Sequence, residues 1–511
     1  MIVFVLVLLC GTMSWDEYLL PKLTLASLLA LYHALKNKAV EKQSLLGPCF
    51  VVAILVMLAT GICGVDPALS IFGKHHVYTH GIILTVFAYI LYSISCSKNY
   101  GYPQYILAGA FCSILALGER FGYDILECLG LLRASAWPRT ISTIGNPVSL
   151  GQVLGVVLFA SMLEIEALKL NRWWCIGLLL IGVGIGTTGS RSALLGCGAA
   201  FAVMYAKRKD WVEIAMVFAI LIGVSVWARG TTAMMADVER LVAWKVGLQS
   251  FLEHPILGSG PGTFGLSFTR LATVGERASM GQMLHADAHC LPLQVLSTMG
   301  LVGFVAFLAV LWFYYKQKEL RPTLPMVVFL LVSSLFQPLC AIAALLALIS
   351  IGHQEAKKCP GGVGNRYLAL PAFACAIVYC IWFIADCKLR SVAMDPNMER
   401  AITGVRQATR LAPWEASYST VLNEVLTESY RSSPDIRVKR HLALMMTREA
   451  ERVIWWHLYQ WRGHRDLAVA IGFANNVGMV LPDGDTQFRE QSAIMGALNP
   501  AEPLPIMRKR R

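Results

Sequence analysis

Residues 290–315 read CLPLQVLSTMGLVGFVAFLAVLWFYY, without a single Asp, Glu, Lys or Arg. At about 1.5 Å of rise per residue, a helix of this length crosses the roughly 30 Å hydrocarbon core of a bilayer. Apolar runs of similar or somewhat shorter length recur near 1–13, 19–35, 47–64, 78–96, 102–117, 147–164, 172–187, 191–206, 211–228, 323–338, 339–352 and 367–385. The pattern predicts an all-α, polytopic membrane helix bundle of about 12–13 spans. Composition agrees. Of the 511 residues, 56% are apolar and only 15% are charged, against about 25% charged in soluble domains. A disordered chain, a disulfide-stapled mini-protein and an ordinary soluble enzyme are excluded.

The net charge of +12 reflects loop bias rather than a nucleic-acid surface, and no nucleic acid is expected as a partner. Lys36, Lys38 and Lys42; Lys98; Lys169 and Arg172; Lys207, Arg208 and Lys209; Lys316, Lys318 and Arg321; and Lys357, Lys358 and Arg366 fall in every second connection. That alternation assigns those loops to the cytoplasm. The opposite face then receives connections 65–77, 118–146 and 229–289, and everything after residue 386. The 14 cysteines lie mostly inside apolar runs, where they pack as small hydrophobes. No C-x-x-C pair marks a zinc or redox site.

Two domains are expected: a transmembrane domain over 1–385, carrying the large external loop 229–289, and a water-exposed tail over 386–511. The tail holds 32 of the 76 charged residues in about a quarter of the length. It reads as helical near 396–411, 414–428, 436–461, 464–478 and 485–498. Two of these helices close on alanine-rich Leu-x-Pro endings, Ala408 through Pro413 and Ala493 through Pro500, which resemble the end of a tetratricopeptide unit. A plain helical tail and a tetratricopeptide-like one both fit.

Polar groups at a membrane boundary carry the functional signal, and four stretches on the non-cytoplasmic face supply them. They are Pro138 to Pro147 (PRTISTIGNP), Thr187 to Ala193 (TTGSRSA), Arg240 through Trp244 to His254–Phe264 (HPILGSGPGTF), and His285 to Gln294 (HADAHCLPLQ). Each has a plain reading. Arg191 could be an interfacial anchor, and Gly258–Gly262 a turn that is neither a Walker nor a dinucleotide loop. His285 and His289 stand four apart with Asp287 between them, but no third strong ligand accompanies them, so no metal and no cofactor is expected.

Together these stretches resemble the O-antigen ligase superfamily, bacterial membrane glycosyltransferases that include O-antigen polymerases and protein O-oligosaccharyltransferases. The resemblance spans roughly residues 60–350. Asp66-Pro67 with Gly73 looks like the family's first external loop, and Arg139 to Pro147 like its Arg…Thr-x-x-Asn-Pro segment. Ser190-Arg191 resembles its Ser-Arg turn. Arg240-x-x-x-Trp244 with His254 to Phe264 resembles its large-loop segment, and His289-x-x-x-Leu293-Gln294 with Gly300-x-x-Gly303 its closing His motif. The family commonly has Asn after the motif His, where this chain has Cys290, and an acidic residue where it has Thr298.

The resemblance implies transfer of a glycan from an undecaprenyl diphosphate carrier to an acceptor hydroxyl on lipid A-core, a growing glycan or a protein. It implies a multi-pass protein of the bacterial inner membrane with a periplasmic tail and membrane lipid around it. Arginine suits a leaving diphosphate, because its planar charged fork binds phosphate oxygens bidentately. Arg191 and Arg240 are expected in that role, with Arg139, Asn146, Ser190 and Trp244 binding substrate. A histidine suits removal of the acceptor proton. His289 is expected as that base, and His285, lacking the family's spacing, to matter less. A polymerase or protein oligosaccharyltransferase is the alternative within the family. A polysaccharide or lipid transporter would place ionisable residues at mid-span, and a scaffold would leave the Arg and His motifs unexplained.

Overall fold

The computed structural model describes residues 1–10, 16, 18–36, 46–74, 81–96, 103–130, 140–168, 173–205, 223, 235–279, 285–358, 366–392, 395, 397–457, 460–477, 479 and 484–499. Arg139, all of the expected span 211–228 except Gly223, and most of the basic loop residues lie outside them. Every regular element among the described residues is helical. In order these are α1 (Ile2–Leu8), α2 (Leu20–Lys36), α3 (Gly47–Ile62), α4 (Pro67–Phe72), α5 (Ile82–Ser95), α6 (Pro103–Arg120), α7 (Ile125–Cys128), α8 (Pro147–Leu168), α9 (Trp173–Thr187) and α10 (Arg191–Tyr205). The 229–289 connection contains α11 (Met235–Glu253), α12 (Phe264–Leu271) and α13 (Val274–Ser279). Then follow α14 (Leu291–Lys316), α15 (Leu324–Ser333), α16 (Ala341–Lys358), α17 (Arg366–Val392), α18 (Met398–Leu411), α19 (Ala416–Ser432), α20 (Ile436–Trp456), α21 (Trp461–Asn476) and α22 (Gly484–Leu498).

Two of these helices, α14 and α17, are long and apolar enough to cross a membrane, and six shorter ones are apolar throughout 10–17 residues. Their outward faces are apolar too. Leu301, Val305, Leu308 and Trp312 form one exposed stripe at helical spacing on α14, as do Leu370, Phe373, Ile377 and Ile384 on α17. Contiguous exposed stripes of this kind fit a hydrocarbon surround better than water.

Capping fixes several helix starts. Asp66 accepts from the Leu69 amide at 2.9 Å ahead of Pro67, and Asn146 accepts from Val148 and Ser149 ahead of Pro147. In both, proline occupies the first helical position, where its missing N–H costs nothing. Lys22, fully buried, spends all three ammonium protons on the carbonyls of Leu9, Tyr18 and Thr143. This ties α2 to the segment leading into α8. Glu119 accepts from the Ile141 and Ser142 amides of the same segment.

Among the described residues, the tail packs directly on the bundle. Helix α17 runs through residue 386, and buried Asp386 accepts from the Asp16 amide and the Tyr418 hydroxyl. The apolar core is continuous from α1 to Val477 in α21's cap. Helix α20 stops at Trp456, short of the 461 expected from periodicity. The His457 ring, bonded on both nitrogens to groups outside the helix, turns the chain there.

Candidate active site

The segment His254 to Gly260 is not a free turn. Helix α14 breaks at Gly300 (φ 61°, ψ −162°), and the broken helix is mended by this loop. The amides of Leu301 and Val302 donate to the carbonyls of Pro255 and Ile256, at 2.9 and 3.2 Å. In return, the carbonyls of Ser297 and Thr298 accept from the amides of Ser259 and Gly260, at 3.1 and 2.8 Å. Backbone groups that a helix kink would orphan are therefore all paired. The exchange demands close approach: a Cβ on Gly258 would stand 2.2 Å from the Thr298 carbonyl carbon, and one on Gly300 2.3 Å from the Ile256 oxygen. The Ser259 carbonyl in turn accepts from the Val65 amide, which brings the first external loop against the clip.

Just before α14 the chain makes a second constrained turn. His289 has a positive φ of 50°, a conformation that costs a non-glycine residue about 1–2 kcal/mol. The turn is held by Asp287 Oδ1, which accepts the His289 amide at 2.9 Å, and by Gln294 Oε1, which accepts the Ala288 amide at 2.7 Å. His289 Nε2 lies 3.0 Å from His285 Nδ1, and Asp287 Oδ1 lies 3.8 Å from His289 Nδ1. His285 packs edge-on to the Phe268 ring. Burial first, then the neighbouring His289, push His285 down to about 4, so it is neutral at physiological pH. Its Nε2, His289 Nδ1 and the Trp244 indole nitrogen are buried without a hydrogen-bond partner among the described residues.

Helix α11 brings Arg240 and Trp244 to this turn. Val242, Ala243 and Val246 pack with Phe264, Phe268 and Ala288, and Gly247 is close enough to Leu293 and Ala288 to exclude a larger side chain. Arg240 and Trp244, four apart, share one helix face. The Trp244 ring lies 6.4 Å from Phe336. Arg240 is half-buried.

Arg191 opens α10 and is exposed. Gly196 of α10 meets Phe329 of α15, while Val203 and Met204 meet Leu324 to Met326, so the two helices are antiparallel. That register puts Arg191 level with Ser334, whose carbonyl accepts from the Leu291 amide. Both arginines thus flank the segment after α15 that adjoins the His289 turn. Ser190 is buried; its hydroxyl pairs with Ser192 and accepts from the Ala193 amide. Like Asn146, it is occupied as a helix cap. Thr140 Oγ1 donates to Thr187 Oγ1, joining the expected Thr-x-x-Asn-Pro segment to the Ser-Arg turn.

The tail covers the site, which sequence reasoning did not anticipate. Buried His457 places Nδ1 2.9 Å from Asp66 Oδ2 and Nε2 2.8 Å from the Trp414 carbonyl. Two acceptors on one ring call for two N–H groups, hence an imidazolium. Burial pushes its pKa down, but the Asp66 carboxylate and the Trp414 carbonyl more than offset this, and the net direction is up. Trp414 also stacks on Phe72 at 4.5 Å, and buried Arg277 of α13 donates to Asn499 Oδ1. A cavity of about 100 Å³ remains between tail and loops, lined by Lys74, Gly262, His285, Glu415, His457 and Arg462 among others.

The described residues define an all-helical protein whose His289 turn packs against α11. Residues 176–308 match the family model described as O-antigen ligase, covering the Ser-Arg turn, the large external loop and the His motif. That match, over about a quarter of the chain, supports membership of the O-antigen ligase superfamily, whose general activity is glycosyl transfer of the ligase or polymerase type. No curated protein matches it.

Proposed function

We propose that this protein moves a glycan from undecaprenyl diphosphate to an acceptor hydroxyl at the outer face of the bacterial inner membrane. The acceptor oxygen attacks the anomeric carbon, the bond from that carbon to the diphosphate oxygen breaks, and its electron pair leaves with the diphosphate. Arg191 and Arg240 hold the charge that builds there, and His289 receives the acceptor's proton. Trp244 offers its indole N–H to substrate, Arg139 contributes from the segment before α8, and Ser190 and Asn146 shape the site as caps.

The observation that carries this reading is the His289 turn, where a strained backbone holds two hydrogen-bonded imidazoles beside α11 and the helix-mending loop. Strain of this sort persists where surrounding structure enforces it, and it clusters at functional sites. The multi-span membrane reading rests on the outward apolar stripes and the recurrent apolar helices. The tail shares a face with the external loops through Asp66 and Arg277, which favours a periplasmic tail over a cytoplasmic one.

The decisive experiment compares lipid-linked glycan, lipopolysaccharide and glycoprotein, by mass, in the host with and without the gene. Lipid-linked glycan that accumulates while one acceptor loses its glycan supports transfer and names the acceptor. Unchanged pools in all three fractions would refute it.

A further inference from the structure

The two histidines of the closing turn form one hydrogen-bonded unit, and the one predicted to matter less faces the cavity. His285 lines the cavity beneath the tail; His289 does not. His285 Nδ1 bonds His289 Nε2 at 3.0 Å, and the other nitrogen of the same ring, Nε2, has no hydrogen-bond partner among the described residues. Beyond His289, the next charged group is Asp287, 3.8 Å from Nδ1. A carboxylate at that position favours a proton on His289 Nδ1, which leaves His289 Nε2 to accept from His285 Nδ1–H. His285 Nε2 is then a bare lone pair on a ring that lines the cavity.

We propose that His285 and His289 act as a two-imidazole relay, and that the acceptor hydroxyl reaches it from the cavity beneath the C-terminal helices. Resting on the transfer reaction above, the step runs in one direction. The acceptor O–H gives its proton to His285 Nε2 as its oxygen bonds to the anomeric carbon. His285 Nδ1–H passes to His289 Nε2. The net result is a neutral His285 and an imidazolium at His289, whose charge faces Asp287. His285 alone is a poor base, because burial and His289 hold it neutral. Coupled to His289, it never has to carry the charge. The relay resembles in logic any base whose second nitrogen is fixed by a further group, with an imidazole inserted between substrate and charge.

Asparagine at 285 distinguishes a relay from a positioning contact. Its amide can replace the hydrogen bond to His289 but cannot take up and release a proton. Full-length variants would be assayed in membranes of a host lacking its own copy, following loss of mild-acid-labile lipid-linked glycan. Binding of undecaprenyl diphosphate and thermal unfolding would be measured in parallel to separate folding from chemistry. His285→Asn, His285→Phe and His289→Ala should each slow transfer on the order of 10² or more, within the usual worth of a general base. The double variant should be no slower than the worse single, since the two act as a unit. Undecaprenyl diphosphate binding should be retained.

His285→Asn with near-parental transfer would overturn the relay while leaving His289 as the base. So would a slow His285→Asn beside a fully active His289→Ala, since the proton would then stop at His285. Parental activity in every variant would instead sink the assignment of His289 itself. For a variant that loses folding, His285→Gln, which preserves side-chain bulk but not proton transfer, takes its place under the same expectations.

Discussion

At Gly300 a single added methyl group should cost the protein stability and activity together. Gly300 sits at φ 61°, ψ −162°, a region essentially reserved for glycine, where another residue incurs about 1–3 kcal/mol. Its new Cβ would also lie 2.3 Å from the Ile256 carbonyl oxygen, which itself accepts from Val302. The loop must retreat, and the four exchanged backbone bonds weaken together. If two are lost, at roughly 0.5–1.5 kcal/mol each, Gly300→Ala costs about 2–6 kcal/mol. Purified full-length protein, melted in detergent, should therefore unfold several degrees lower for Gly300→Ala than for the parent. Transfer should fall with it. Equal melting points for Gly300→Ala and the parent would refute the helix-mending role of the loop.

Arg191→Lys and Arg240→Lys keep charge but lose the bidentate fork, so transfer should fall on the order of 10² or more in each; near-parental rates in both would remove the arginines from the diphosphate. His457 has a folded pKa above its unfolded value of about 6.5, so its contribution is complete below about pH 6.5 and disappears as pH rises through the folded value. Limited proteolysis of the 392–499 helices should accordingly quicken as the medium becomes alkaline. His457→Ala, which strands buried Asp66, should quicken it at every pH by weakening docking about 3–5 kcal/mol; protection that ignores pH would count against the ion pair. Cys128, exposed beside α7, should react with a membrane-impermeant maleimide added to intact cells stripped of their outer membrane. Labelling only after lysis would invert the proposed orientation.

Much of the helical layout was legible because period and punctuation both signal it. Pro67 and Pro147 follow good capping residues, and the five tail helices lie close to their expected bounds. What escaped was non-local. The exchange of hydrogen bonds at Gly300 leaves no periodic trace, because backbone groups carry it and any sequence has those; only the glycines hint at it. Asp66 was visible merely as part of a loop motif, since its partner stands 391 positions away. Lys22 and Glu119 looked like ordinary helix-end charges until the carbonyls and amides they serve were seen. At the candidate site, motif order singled out Ser190 and Asn146 but not the fact that their oxygens cap helices. The bond between His285 and His289 also lay beyond it, because spacing along the chain does not fix the turn that brings the two rings together.

The His457–Asp66 contact also sets a clock on the molecule's birth. Chains emerge at about 5–20 residues per second, so Asp66 waits on the order of half a minute for its partner to be made. Until then the cavity beside His285 lacks the wall contributed by Trp414, Glu415 and Arg462. A nascent or prematurely terminated copy can possess Arg191, Arg240 and His289 and still lack this wall.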